Sequence, residues 1–173
     1  MIDSRRTLAQ VREQLKVAQG LEDIQGAVKM AARQLTGADG ATFVLLDGDR
    51  CYYADEDSIS PLWKGQRFPV SACISGWAMV HEETVVISDI RRDERIPQEA
   101  YRPTFVRSLA MVPMLSTEPL GAIGAYWARA GRPSADAVAA LEQLAGSAAL
   151  ALRRFPERLP DPSFYVDRTL SAG

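Results

Sequence analysis

The sequence predicts an α+β domain with a largely antiparallel sheet. Two helical stripes precede any strand, two pairs of apolar runs are joined by turn-forming residues, and a long apolar helix follows.

In the first stripe Leu8, Val11, Leu15 and Ala18 recur at helical spacing until Gly20 interrupts them. The second runs through Leu21, Ile24, Val28, Ala31 and Leu35, and Gly37 supplies a C-terminal stop. Ala41 to Leu46 and Cys51 to Ala54 read as strands of a hairpin turning at Asp47-Gly48-Asp49. Asp55 to Val70, broken by Pro61, Gly65 and Pro69, reads mostly as a connection, and connections of that length often carry function. A short helix over Ile74 to His81 and a buried strand over Thr84 to Ile87 come next, then an irregular stretch from Asp89 to Pro103. Ser108 to Met114 and Leu120 to Trp127 form a second hairpin across Ser116-Thr117-Glu118-Pro119. The last helix starts near Pro133 and Ser134, a good N-cap, and runs to Phe155 before Pro156. The expected organisation is an N-terminal helix over 1–19, one domain over 20–155 and a tail or linker over 156–173.

A length of 173 residues suits one core, and 47% hydrophobic with 24% charged residues is a globular balance. Twenty basic against 22 acidic residues leave a formal net charge of −2, which offers no general attraction to nucleic acid or to an anionic membrane. No apolar run approaches the roughly 20 residues of a bilayer span, and the N-terminus lacks the apolar segment of a signal peptide, so the expected location is the cytoplasm. Cys51 and Cys73 form no Cys-x-x-Cys pair and read as reduced structural residues, and His81 reads as the polar end of a helix. Asp89, Asp93 and Glu94 lie among Arg91, Arg92 and Arg95, the pattern of a solvated loop or local ion pairs. The glycines of Gly121-Ala122-Ile123-Gly124 lie within a strand and read as sites of close packing, with no helix or Lys to make a phosphate cradle.

Several blocks resemble the GAF domains of bacterial sensor histidine kinases and related signalling proteins. They are Gly37-Ala38-Asp39-Gly40-Ala41-Thr42-Phe43-Val44-Leu45, Cys51-Tyr52-Tyr53-Ala54-Asp55-Glu56, Pro61-Leu62-Trp63-Lys64-Gly65 and Cys73-Ile74-Ser75-Gly76-Trp77-Ala78-Met79. Asp89-Ile90, Arg95-Ile96-Pro97, the run from Tyr101 to Leu109 and Gly121-Ala122-Ile123-Gly124-Ala125-Tyr126-Trp127 continue the series in the same order. The resemblance covers roughly residues 20 to 155. It implies a central antiparallel sheet with the N- and C-terminal helices on one face and a loop-roofed ligand pocket on the other.

Two kinds of GAF chemistry lack their residues here. A covalent bilin needs a Cys beside a His where this chain has Pro97 and Gln98, which argues against a thioether-linked chromophore and leaves the cofactor unknown. GAF reductases of free methionine sulfoxide use a Cys just before the Gly that matches Gly76, and another in the loop that corresponds to Asp89–Arg107. This chain has Ser75 at the first place and no Cys in that loop. Cys73 lies two residues off, so a cysteine-dependent reductase stays as the third reading.

Candidate pocket residues are Phe43, Trp77, Tyr101, Phe105, Arg107, Ser108, Met111 and Tyr126, with Trp63 as a lid, although a strand can turn only alternate residues toward a ligand. For Trp77 and Phe105 an ordinary core role competes. Arg107 fits either an anion clamp or a structural pair with Asp89. Candidate dimer-interface residues are Leu8, Val11 and Leu15 on the first helix and Val138, Leu141, Ala145, Ala148 and Leu152 on the last, whose three-four spacing matches a coiled-coil seam. The sequence thus reads as a non-catalytic regulatory module that senses an unidentified small molecule, forms a homodimer, or both, in bacterial two-component or related signal transduction, with a histidine kinase or other output domain as partner. The alternative is a structural dimerisation or interaction module with no ligand.

Overall fold

The computed structural model describes residues 3–157, so nearly all of the expected tail over 156–173 lies outside the described residues. Asp3 opens helix α1 (Ser4–Lys16) by accepting from the Arg5 amide at 3.1 Å and the Arg6 amide at 3.5 Å. Helix α2 (Leu21–Thr36) ends on Gly37, whose φ of 68° is the left-handed conformation that glycine adopts without a Cβ penalty. Strands β1 (Gly40–Asp47) and β2 (Arg50–Ser58) form the first hairpin, followed by β3 (Arg67–Pro69), a 3-10 turn over Val70–Ala72 and helix α3 (Ile74–His81). Strand β4 (Val85–Ile87), a second 3-10 turn (Ile90–Arg92) and the short helix α4 (Gln98–Tyr101) lead into the hairpin of β5 (Ser108–Leu115) and β6 (Pro119–Trp127). Helix α5 (Ala135–Leu152) closes the domain, with Ser134 Oγ accepting from the Ala137 amide at 3.1 Å.

The six strands pair antiparallel in the order β3-β2-β1-β6-β5-β4. The sheet separates two apolar layers. On one face α2 and α5, with α1 packed against them, cover Ala41, Phe43, Leu45, Ala110, Val112 and Ile123. On the other, α3 and the connections cover Val44, Tyr53, Leu109, Met111, Ala122 and Tyr126. Strand alternation decides these assignments, and a bulge opposite Phe43/Val44 breaks it once in β2. Ala54 and Asp55 therefore both serve the helix face, and Glu56 joins Tyr53 on the other.

The expected fold class is the observed one, and the elements differ in three places. Strand β2 extends past Ala54 through Asp55, Glu56 and Asp57, weak strand formers that gain their ladder partners from β1. Strand β3 lies inside the stretch read as connection, and α4 inside the one read as irregular; both are too short to carry a period. Helix α5 is long and apolar enough, by length and composition alone, to cross a bilayer, although half of it is buried in the fold.

The candidate interface stripes need correction. Leu8, Val11, Leu15, Leu141, Ala145, Ala148 and Leu152 are all buried within a single chain, with Val138 half-buried beside them. Seam-like spacing cannot distinguish a partner helix from the chain's own sheet and neighbouring helices, and here α1 packs on α2 and α5, which in turn pack on the strands.

Gly76 marks the tightest contact beside α3. A Cβ there would overlap the Val70 carbonyl, a backbone group held by the 3-10 turn. Gly76→Ala is expected to cost about 2–3 kcal/mol by forcing these elements apart, read as a lower urea midpoint. An unchanged midpoint would show that the turn yields freely.

Candidate functional site

The face of the sheet opposite the helices carries an aromatic cluster centred on Trp63. Its ring lies 5.6 Å from Tyr53, 4.7 Å from Tyr101 and 5.5 Å from Tyr126, in tilted and edge-on arrangements. Phe68 meets Tyr53 edge-on at 5.4 Å. The space left between Tyr53, Trp63, Phe68, Cys73, Pro97 and Tyr101 is about 10 Å³, room for roughly one water. The connections do roof this face, but the volume beneath them is filled by the chain's own rings.

A carboxylate fixes the roof. Glu56 accepts hydrogen bonds from the backbone amides of Leu62, Trp63 and Lys64, at 2.8, 2.9 and 2.8 Å. The indole Nε1 of Trp63 donates to the Ala100 carbonyl at 3.0 Å and so ties this loop to the segment carrying α4. One acidic side chain thereby replaces the ladder partners that three loop amides lack.

Next to it, Asp55 is buried and ion-paired with Lys29 Nζ at 2.9 Å and Lys64 Nζ at 3.1 Å. Burial raises its carboxyl pKa, yet hydrogen bonds from the two ammonium groups outweigh burial and leave the net shift downward. A carboxyl lowered in the folded state stabilises above its unfolded pKa of about 3.9 and loses that contribution as pH falls through the folded value. Asp55→Asn is expected to lower stability by about 1–2 kcal/mol near neutral pH, with the gap to wild type closing below about pH 4. Chemical denaturation across pH tests this, and a gap that persists in acid would contradict it.

Two buried phenols have hydroxyl partners. Tyr126 shares a hydrogen bond with Thr42 Oγ1 at 2.9 Å, and Tyr53 with Ser75 Oγ at 3.1 Å. Burial is the main cause that pushes Tyr53, Tyr101 and Tyr126 above the ordinary phenol range, so all three stay neutral. A Cβ at Gly124 would collide with the Tyr126 hydroxyl and Thr42, which fits the close-packing reading of that glycine.

Of the candidate pocket residues, Trp63, Tyr101, Met111 and Tyr126 meet on this face. Trp77 and Phe105 are half-buried at its margin, with Trp77 stacked on His81 at 3.8 Å and Arg95 lying 4.6 Å from its ring centre. Phe43 and Ser108 do not belong. Phe43 is buried under the helices, and Ser108 donates to the Arg129 carbonyl at 2.8 Å on the same side as Ala110 and Val112. Strand parity excludes Ser108 once Met111 faces the aromatic cluster. Arg107 pairs with Asp89 at 3.5 Å, and its Nε is buried with no hydrogen-bond partner among the described residues. Asp93 holds Arg95 through both carboxylate oxygens, as expected of a local ion pair.

Sequence reading missed Tyr53, Glu56 and Phe68. Alternation from Cys51 would have found Tyr53, whereas Glu56 reaches this face only through the bulge. A larger open cleft of about 330 Å³ lies on the helix side, bordered by Thr36, Ser108, Trp127, Arg129, Arg132 and Ala137. Among the described residues no group of three or more His, Cys, Asp or Glu could hold a metal ion.

No curated protein is significantly similar to the chain. Among solved structures it is similar to the GAF domain of an Acinetobacter phosphoenolpyruvate-protein phosphotransferase, at 17% identity and a TM-score of 0.76 over 89% of this chain and 96% of that one. It is also similar to a free methionine-R-sulfoxide reductase from Neisseria meningitidis solved with its substrate, at 18% identity and 0.76 over 90% and 92% of the two chains. The chromophore-binding domain of a bacteriophytochrome from R. palustris matches at 15% identity and 0.72, over 88% of this chain and 62% of that one. At such identities the likeness is one of fold. The sequence profile of the GAF domain matches residues 18–153, most of the chain, and the protein belongs to the GAF domain family.

Proposed function

We propose that this protein is a non-catalytic regulatory GAF domain whose ligand site is closed by its own Trp63, so that a small molecule entering the aromatic cluster displaces the indole. The observation that carries the reading is the attachment of Trp63. It sits on a connection instead of a strand, and a handful of loop hydrogen bonds to Glu56 and Ala100 hold it there. Loop contacts of this kind open at lower free energy than sheet contacts. Displacing the plug requires a ligand that binds the open arrangement better than the closed one. An output domain such as a histidine kinase would receive the change, and a homodimer would use surfaces other than the buried stripes.

The small residual volume favours a second reading, an interaction module that takes no ligand. Thermal-shift and native mass-spectrometry screens with cyclic nucleotides, tetrapyrroles and metabolites separate the two. A hit that stabilises the protein and alters tryptophan fluorescence in wild type, but not in Trp63→Phe, supports sensing. No binding to either protein leaves the interaction module.

A further inference from the structure

The open cleft on the helix side of the sheet belongs to neither the aromatic cluster nor its roof. Its volume of about 330 Å³ lies within the range of small-molecule sites. It is bounded by Thr36 at the end of α2, Trp127 at the end of β6, and Ser134 and Ala137 at the start of α5. The connection from Arg129 to Pro133 forms one wall.

Groups from three separate parts of the chain fix that wall. The Ala128 amide donates to the Asp39 carboxylate at 2.8 Å, and the Gly131 amide to the Ser88 carbonyl at 2.8 Å. Between them the buried hydroxyl of Ser108 donates to the Arg129 carbonyl at 2.8 Å, so a side chain of β5 holds the loop backbone. Gly131 has a φ of 142°, a conformation that residues with a Cβ rarely adopt. The wall is preformed, and a ligand meets it without first ordering it.

The charge on the cleft has one sign. Arg129 and Arg132 are the only charged residues that border it. Neither has an ion pair or a side-chain hydrogen bond among the described residues. By contrast Arg33, Arg67 and Arg95 each meet a carboxylate. The neighbouring acids do not fill this role. Asp39 accepts from the Ala128 amide, Asp89 pairs with Arg107 at 3.5 Å, and Asp136 in the first turn of α5 does not border the cleft. Half-buried Trp127 adds an aromatic surface to the same rim.

We propose that this cleft binds a small organic phosphate, with Arg129 and Arg132 taking the phosphate oxygens and Trp127 lying against the carbon part. A phosphate monoester carries about −1.5 to −2 charges at neutral pH, which two guanidinium groups offset, and its oxygens suit the paired N–H groups of an arginine fork. The cleft lies across the sheet from Trp63, so the site stands apart from the aromatic cluster.

Isothermal titration calorimetry of the whole chain with phenyl phosphate, and separately with benzoate and inorganic phosphate, tests the site. Phenyl phosphate is expected to bind once per chain, more tightly than either comparator, and to weaken as sodium chloride is raised. Arg129→Gln combined with Arg132→Gln should weaken it at least about tenfold, the loss of charge-assisted hydrogen bonds. The urea midpoint of that variant should stay in place, because both side chains are exposed and unpaired. Trp63→Phe should bind phenyl phosphate as wild type does. The proposal is overturned by no saturable binding at millimolar phenyl phosphate, by benzoate binding equally well, or by binding that survives the loss of both arginines. Inorganic phosphate binding as tightly as phenyl phosphate would show an adventitious ion only, and binding that is lost with Trp63 would place the probe on the other face; either result also overturns it.

Discussion

A Leu141→Glu chain is expected not to fold. Leu141 is completely buried on α5, as are Leu144 and Leu152, in the layer that α1, α2 and α5 share with the sheet. Removing the leucine contacts alone costs about 2–5 kcal/mol, and desolvating a carboxylate, or holding it protonated, adds several more. A domain of this size is stable by only about 5–15 kcal/mol, so the sum removes most of it. Circular dichroism and urea titration would read this directly, and a native spectrum with an unchanged midpoint would contradict the burial. The same substitution is consequently no probe of dimerisation. Leu150, 66% exposed on the same helix, is the better one. Leu150→Glu should shift stability by less than about 0.5 kcal/mol, while light scattering reports whether that face pairs with another chain.

The second large effect is expected at Trp63. Trp63→Ala removes the ring that fills the space between Tyr53, Tyr101 and Tyr126, and leaves the Ala100 carbonyl without its indole donor. The expected loss is about 3–5 kcal/mol, toward the lower end if the loop relaxes into the gap. An apolar-walled cavity should result, and cavities of that kind take up aromatic molecules of matching size. Free indole should therefore raise the melting temperature of Trp63→Ala and leave wild type unmoved. If indole stabilises neither protein, the roof has collapsed, and the cluster is ordinary core with no latent site.

Much of the architecture was legible because it rests on periodicity and punctuation. Gly37, Asp47-Gly48-Asp49 and Ser134 mark boundaries that the structure keeps within a few residues. Strand β3 and helix α4 were hidden, since three or four residues carry no period and depend on partners supplied elsewhere in the chain. The site was read less well. The candidate residues Trp63, Tyr101 and Tyr126, chosen from their type and their place in the family pattern, share one face of the sheet, whereas Phe43 and Ser108 lie on the other.

Taken alone, the sequence determined the α+β class, the order of the main helices and hairpins, and the absence of a Cys at the two positions where related GAF chemistries need one. These depend on local spacing and residue type, which a linear string records. Only the tertiary structure decided which face each strand residue serves, because one bulged residue in β2 changes parity for all that follow. It also decided that the helical stripes are covered by the chain itself and that Trp63 fills the space beneath its own loop. Each is a contact between residues distant along the chain, fixed by strand pairing and packing.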